Sequence, residues 1–198
     1  MRVSKEKAAE NRRRILTAAA RLFREQGIGG AGVDAITEAA GLTHGAFYSQ
    51  FESKESVVAE AVRLAIDESR QVLERSSKGR EKSRARSRFV AAYLARSHRD
   101  SPGNGCVIAA LGADVARQPK TVRAVFTKAL KDALETIADL VPGRAAPRRY
   151  DDAIALFSGM LGALILARAV SEESLSRRIL EAMANRLTTT TSSGPLPE

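Results

Sequence analysis

Between Thr43 and Lys54 the chain gathers side chains that make contacts rather than bonds: Thr43, His44, Gly45, Tyr48, Ser49 and Lys54. On a helix, His44 and Tyr48 share one stripe and Gly45 and Ser49 the next, because residues four apart stack on one face. Hydroxyl, imidazole and ammonium groups at that spacing can donate to phosphate oxygens and base edges, and a bare glycine lets a backbone approach a groove closely. Elsewhere, reactive residue types are sparse. The chain has one cysteine and two histidines, His44 and His98. Neither histidine stands in a metal-ligand or acid–base spacing with Cys106. The adjacent pair Asp151 and Asp152 falls near the start of a predicted helix, where the macrodipole accounts for it.

The contact surface needs elements to hold it. Val33, Ile36, Ala39 and Ala40 make one apolar face of a short helix, Gly41 allows the turn, and Leu42 plugs the corner. Thr43 can cap a second helix whose inner face is Phe47 and Phe51. Two short helices meeting this way form a helix-turn-helix, whose second helix enters the major groove of DNA. An ordinary helical corner would show the same periodicity.

The wording of the segment is more specific. A helix ending in REQG, a Gly-rich loop, then VDAITEAAGLTHGAFYSQFESKESV and a long helix resembles the DNA-binding domain of the TetR/AcrR family of transcriptional repressors. The resemblance is strong over residues 12–62 and fades afterwards into a generic helical pattern. The chain departs from the family's pattern at Gly32, where a hydroxyl cap is usual, at Thr37 in place of Ala, and at Gln50 in place of His. The resemblance implies that Thr43 and Tyr48 touch phosphates and that His44, Gly45 and Ser49 lie nearest the bases. Lys54 would add a phosphate contact at a helix N-terminus. It also implies a homodimer on a roughly palindromic operator in double-stranded DNA, released by a small-molecule effector. The alternative is a small-molecule-binding helical protein or enzyme that kept the fold without the DNA role.

Composition agrees with an all-α protein. Aromatics make up 5% of the 198 residues, there is no Trp, and no alternating strand pattern occurs. The lone cysteine excludes an internal disulfide framework and fits a reducing cytosol. The N-terminus lacks the apolar core of a secretory signal, and residues 153–167 are too short and too interrupted for a comfortable membrane span. A soluble cytoplasmic protein with no membrane role, no cofactor and no metal is expected. The net charge of +9 suits a nucleic-acid partner, yet residues 1–63 hold ten basic against eight acidic residues. Most of the excess lies beyond, in a cluster from Arg75 to Arg99 with nine basic residues and the single acid Glu81. That cluster reads as a solvated face or as a second anion-binding surface. In the head, the basic residues available for DNA are Arg12, Arg13, Arg14 and Lys54.

Cap and breaker residues divide the chain into about nine helices: a three-helix head over residues 1–53, a helical body over 54–187, which the resemblance implies binds ligand and dimerises, and a disordered tail over 188–198. Ser4 caps a first helix that Gly27 stops, and Ser53 caps the fourth. One helix is predicted over residues 81–98, and DSPGNG breaks the chain before Cys106. Two apolar stripes mark the last two helices: Ile154, Phe157, Leu161, Leu164 and Ile165, then Leu175, Ile179, Ala182, Met183 and Leu187. Packed against their copies they would form a four-helix interface; facing inward they would be ordinary core. The formal G-x-G-x-x-G over residues 27–32 follows a helix rather than a strand, which argues against a nucleotide turn.

Two features of the body point to a response. Phe89, Tyr93, Phe126, Phe157 and Met160 are large apolar side chains that the resemblance sets around a cavity, implying an apolar or aromatic effector with one directional bond from Tyr93. Cys106, near a helix N-terminus, is either a redox or electrophile sensor or a small core residue.

Overall fold

Ser4, Thr43 and Ser53 cap helices where the sequence places them, and glycines with positive φ, Gly27 and Gly41, stand at two of the breaks. The computed structural model describes residues 4–79, 81–141 and 145–188, and among these there are ten α-helices, one 3-10 turn and no strand. Of the expected tail over 188–198, Thr188 instead closes the last helix, and the rest lies outside the described residues. Helix α1 spans Lys5–Gly30 and opens on Ser4, whose Oγ accepts the Lys7 N–H at 3.2 Å. Its inner face, Ile15, Ala19, Leu22 and Phe23, is buried. Gly27 breaks the helix at φ +77°, and a last turn runs on to Gly30.

Helices α2 (Val33–Ala39) and α3 (His44–Tyr48) form the helix-turn-helix, with Gly41 at φ +61° in the corner. Ile36 and Phe47 are wholly enclosed and Phe51 nearly so. Ala39, expected on the inner face, is exposed. The short α2 buries mainly Ile36, Thr37 and the following Ala40. Gly32 stands at the N-cap of α2 without a side-chain bond, as its lack of a hydroxyl requires.

Helix α4 (Lys54–Ser77) begins in the head and runs into the body, burying Val57, Val58, Ala61, Val62 and Ile66 on the way. Then follow α5 (Lys82–Tyr93), α6 (Arg96–Asp100), the 3-10 turn Pro102–Asn104, α7 (Val107–Val115), α8 (Lys120–Ala138), α9 (Ala146–Ala169) and α10 (Glu173–Thr188). The helix predicted over 81–98 is therefore two, α5 and α6, separated at Leu94 and Ala95, and the count rises from nine to ten. The reason is tertiary. The His98 ring turns back to accept and donate across the break, a contact that no local pattern reveals.

One apolar cluster runs from Ile15 in α1 to Leu180 in α10, so the head and body share their core. Helix α9 has two apolar faces. Ala153, Leu156, Phe157, Met160 and Leu164 are buried, whereas Ile154, Ile165 and Leu166 are exposed, as is Leu175 of α10. The predicted stripe on α9 thus divides between core and surface. Helix α9 is long and apolar enough by composition to cross a membrane, but its buried face packs against α8 and α10.

Candidate nucleic-acid interface and ligand cleft

At the tip of the head, the Thr43 Oγ1 accepts the Ala46 N–H at 3.3 Å and holds the first turn of α3 in place. Thr43, His44, Gly45, Tyr48 and Ser49 are all exposed. Tyr48 is an aromatic residue left 58% open to solvent, with the His44 ring 5.2 Å away. The His44 Nδ1 lies 3.8 Å from an Asp34 carboxylate oxygen, and the Ser49 hydroxyl donates to the Ala46 carbonyl at 2.8 Å. A Cβ built on Gly45 would meet no heavy atom within 4 Å. A glycine inside a helix costs roughly 0.5–1 kcal/mol relative to alanine. Nothing within the chain needs Gly45, so the bare backbone leaves room for something outside it.

Lys54 is the first residue of α4, half-buried, behind Ser53, whose Oγ accepts the Ser56 N–H at 3.3 Å. Two of the arginines expected to serve DNA are occupied within the head. Arg12 donates to the Gln50 carbonyl, pairs with Glu60 at 2.5 Å, and stacks 4.1 Å over the Phe51 ring. Arg14 donates to the Gly41 carbonyl at 3.1 Å. These bonds tie α1 to the helix-turn-helix corner and to α4, so both arginines position the recognition unit. Arg13 and Lys54 carry the remaining charge.

In the body, a cleft of about 560 Å³ opens between α4, α5 and the α6–α7 turn, with α8 and α9 closing its floor. Phe89, Tyr93 and Phe157 line it, as does Cys106; Phe126 and Met160 do not. Phe126 lies two turns, about 10 Å, from the lining residue Ala133 on α8. Met160 is fully enclosed in the core. Ile66, Ile108 and Ile137 complete the apolar wall.

Tyr93 sits among three rings, 4.7 Å from His98 and 5.9 Å from both Phe89 and Phe157. Its side chain is nine-tenths buried, and the weakly bonding Cys106 thiol is the polar group beside its hydroxyl. Burial, with Cys106 close by, pushes the phenol well above its ordinary value. His98 and Cys106, unrelated by sequence pattern, are neighbours. The His98 Nδ1 lies 2.6 Å from the Tyr93 carbonyl, and its Nε2 lies 2.9 Å from the Cys106 amide nitrogen. The backbone N–H must donate, so Nε2 accepts and Nδ1 carries the proton: His98 is held as one neutral tautomer. Burial and the nearby Arg168 lower its pKa against the raising effect of the Tyr93 carbonyl. Gly105 is required here, because a Cβ would stand 2.9 Å from an Arg168 nitrogen and 3.0 Å from the His98 Nε2. Cys106 is the N-cap of α7 and is half-buried.

The turn bordering this cleft touches the head directly. Arg24 of α1 donates through Nε to the Gly103 carbonyl at 2.6 Å, and Asp114 of α7 accepts the Ile28 N–H at 3.0 Å. Asp114 thus takes up the amide left open by the break at Gly27. Sequence reasoning missed Arg24 and Asp114, which gain their places only when α1 packs against α7 and the turn before it, and it missed Arg70; Arg88 belongs to the basic cluster already singled out between Arg75 and Arg99. A group of His, Cys, Asp or Glu able to hold a metal does not occur among the described residues.

Residues 15–61 match the family model for bacterial regulatory proteins of the tetR family. Over 64 residues the chain is 39% identical to the HTH-type transcriptional regulator AcrR of Shigella flexneri, a match covering 32% of this chain and 30% of that protein. Among solved structures, the reduced form of Escherichia coli NemR superposes with a TM-score of 0.74 at 20% identity, covering 89% of this chain and 94% of that one. A TetR-family transcriptional regulator from Agrobacterium tumefaciens superposes with a TM-score of 0.75 at 17% identity, covering 91% and 98%. Residues 15–61 thus match the helix-turn-helix head of the tetR family in sequence, and the chain as a whole shares its fold with solved TetR-family regulators.

Proposed function

We propose that the protein is a cytoplasmic, homodimeric transcriptional repressor that leaves its operator when a small molecule occupies the body cleft. The observation that carries this reading is the outward face of α3. Tyr48 keeps most of its side chain in solvent although the Phe47 and His44 rings touch it, Gly45 is bare without a packing reason, and Lys54 heads α4 a few residues further along the chain. Thr43 and Tyr48 contact phosphates, His44, Gly45 and Ser49 approach base edges, and Lys54 adds a charge-assisted phosphate bond. The dimer uses the exposed apolar strip of α9 and α10, and its two-fold axis calls for a roughly palindromic site. The activity is regulatory rather than enzymatic.

Two connections carry the signal. Helix α4 is continuous from Lys54 at the head to Arg70 and Leu73 at the cleft, about 36 Å over its length. The α6–α7 turn reaches α1 through Arg24, and α7 reaches the end of α1 through Asp114. An apolar or aromatic effector seated on Phe89, Tyr93 and Phe157 biases both, and a small change in head spacing weakens binding to two half-sites at fixed separation. A second input has its own support: Cys106 borders the same cleft at the N-terminus of α7, where an electrophile or oxidant would act on the same turn. Selection of bound sites from a random DNA pool tests the main reading. Inverted repeats of fixed spacing are expected; a pool without enrichment would overturn it.

A further inference from the structure

The cleft is apolar in depth, and the charged residues that line it are both arginines. Arg70 of α4 and Arg88 of α5 both line it, and none of the lining residues is Asp or Glu. Helices α4 and α5 are joined by a short connection and pack against each other. Arg70 stands seven residues before α4 ends and Arg88 six after α5 begins, so an antiparallel pair brings them to nearly the same height. Ile66 and Tyr93 each stand eleven residues from that connection, about 6 Å further in. The Arg70 Nη1 meets Glu74 at 2.6 Å, but its Nε is buried without a partner. Arg88 is exposed and makes no ion pair with a described residue. At the inner end, Tyr93 is nine-tenths buried among the Phe89, His98 and Phe157 rings and closes the apolar part of the cleft.

We propose that the effector is an amphipathic anion, a carboxylic acid on an apolar body. Its carboxylate lies between Arg70 and Arg88, and its body runs inward over Phe89 and Phe157 towards Tyr93. A guanidinium recognises a carboxylate through paired, charge-assisted hydrogen bonds, which a neutral alcohol of the same length cannot reproduce. The proposal rests on the reading of this cleft as the effector site.

Isothermal titration calorimetry on the full chain tests it with sodium decanoate, 1-decanol and sodium 1-naphthoate as probes. Decanoate is expected to bind about tenfold more tightly than decanol, the scale of one charge-assisted contact. The double variant R70Q/R88Q should erase that preference while keeping the helical circular dichroism of the native chain. The naphthoate arm separates the sources: tighter binding of naphthoate assigns an aromatic acid, and tighter binding of decanoate an aliphatic one. Equal affinity for acid and alcohol, or a preference that survives in R70Q/R88Q, would overturn the carboxylate while leaving the cleft as a ligand site. Binding of none of the three would overturn both readings.

Discussion

Replacing Asp114 with alanine should loosen the seam between head and body by an amount the geometry sets. Asp114 Oδ2 accepts the Ile28 N–H at 3.0 Å, and Ile28 is 5% exposed, so water cannot freely replace the lost acceptor. A buried N–H left without a partner costs about 1–3 kcal/mol. The same substitution removes the pair with Arg117, but that arginine is 70% exposed, and an exposed ion pair adds little. A total near 2 kcal/mol corresponds, for a chain of this length, to a fall in Tm of roughly 4–8 °C. Asp114→Asn keeps an acceptor in place and should lose less than half as much. Thermal unfolding followed by circular dichroism gives the size of the effect, and hydrogen exchange at the Ile28 amide gives its location. An alanine variant that melts with the native protein, with Ile28 exchange unchanged, would refute the idea that Asp114 closes the break at Gly27.

Three further expectations follow from the same reasoning. Burial lowers the His98 pKa below its ordinary value of 6.5, so the neutral ring's contribution to stability is complete above about that pH and declines as pH falls through it towards the folded-state value. Urea unfolding at pH 7 and pH 5 should show a loss that His98→Gln reduces, and equal pH sensitivity in both proteins would contradict the buried neutral ring. Ile165→Glu or Leu166→Glu should yield folded monomers in sedimentation equilibrium, because both positions are exposed, whereas Leu164→Glu should unfold the chain by placing a charge at a fully enclosed site. Dimers persisting in both surface variants would move the interface elsewhere. Tyr93→Phe removes a hydroxyl whose polar neighbour is the weakly bonding Cys106 thiol, so the melting temperature should change little while effector-induced release from DNA weakens; a marked loss of stability would mean the hydroxyl is strongly bonded within the fold.

What could be read in the sequence was local. Ser4, Thr43 and Ser53 cap the helices they precede because capping needs only a hydroxyl within three residues of an open N–H. Gly27 and Gly41 mark breaks because their backbone angles suit no other residue well. The break between α5 and α6 was not legible: YLARSHRD has no breaker, and the interruption depends on the His98 ring bridging Tyr93 and Cys106. Nor could periodicity divide the stripe on α9, since both faces are apolar and only packing against α8 and α10 decides which is buried. Arg12 shows the same limit at the candidate site. A basic residue in a DNA-binding head reads as a phosphate contact, yet here it is consumed by Gln50, Glu60 and the Phe51 ring.

The account stands or falls on the outward face of α3. Its most direct measurement is fluorescence anisotropy of a selected operator duplex across a salt series, with the native protein, Tyr48→Ala and Lys54→Ala. Both variants should keep native helicity, since Tyr48 is exposed and Lys54 makes no ion pair with a described residue. Each should bind more weakly, and loss of the Lys54 charge should flatten the logarithmic salt dependence by about one unit per protomer. Affinity and salt slope unchanged in both variants would contradict docking through α3 and the start of α4.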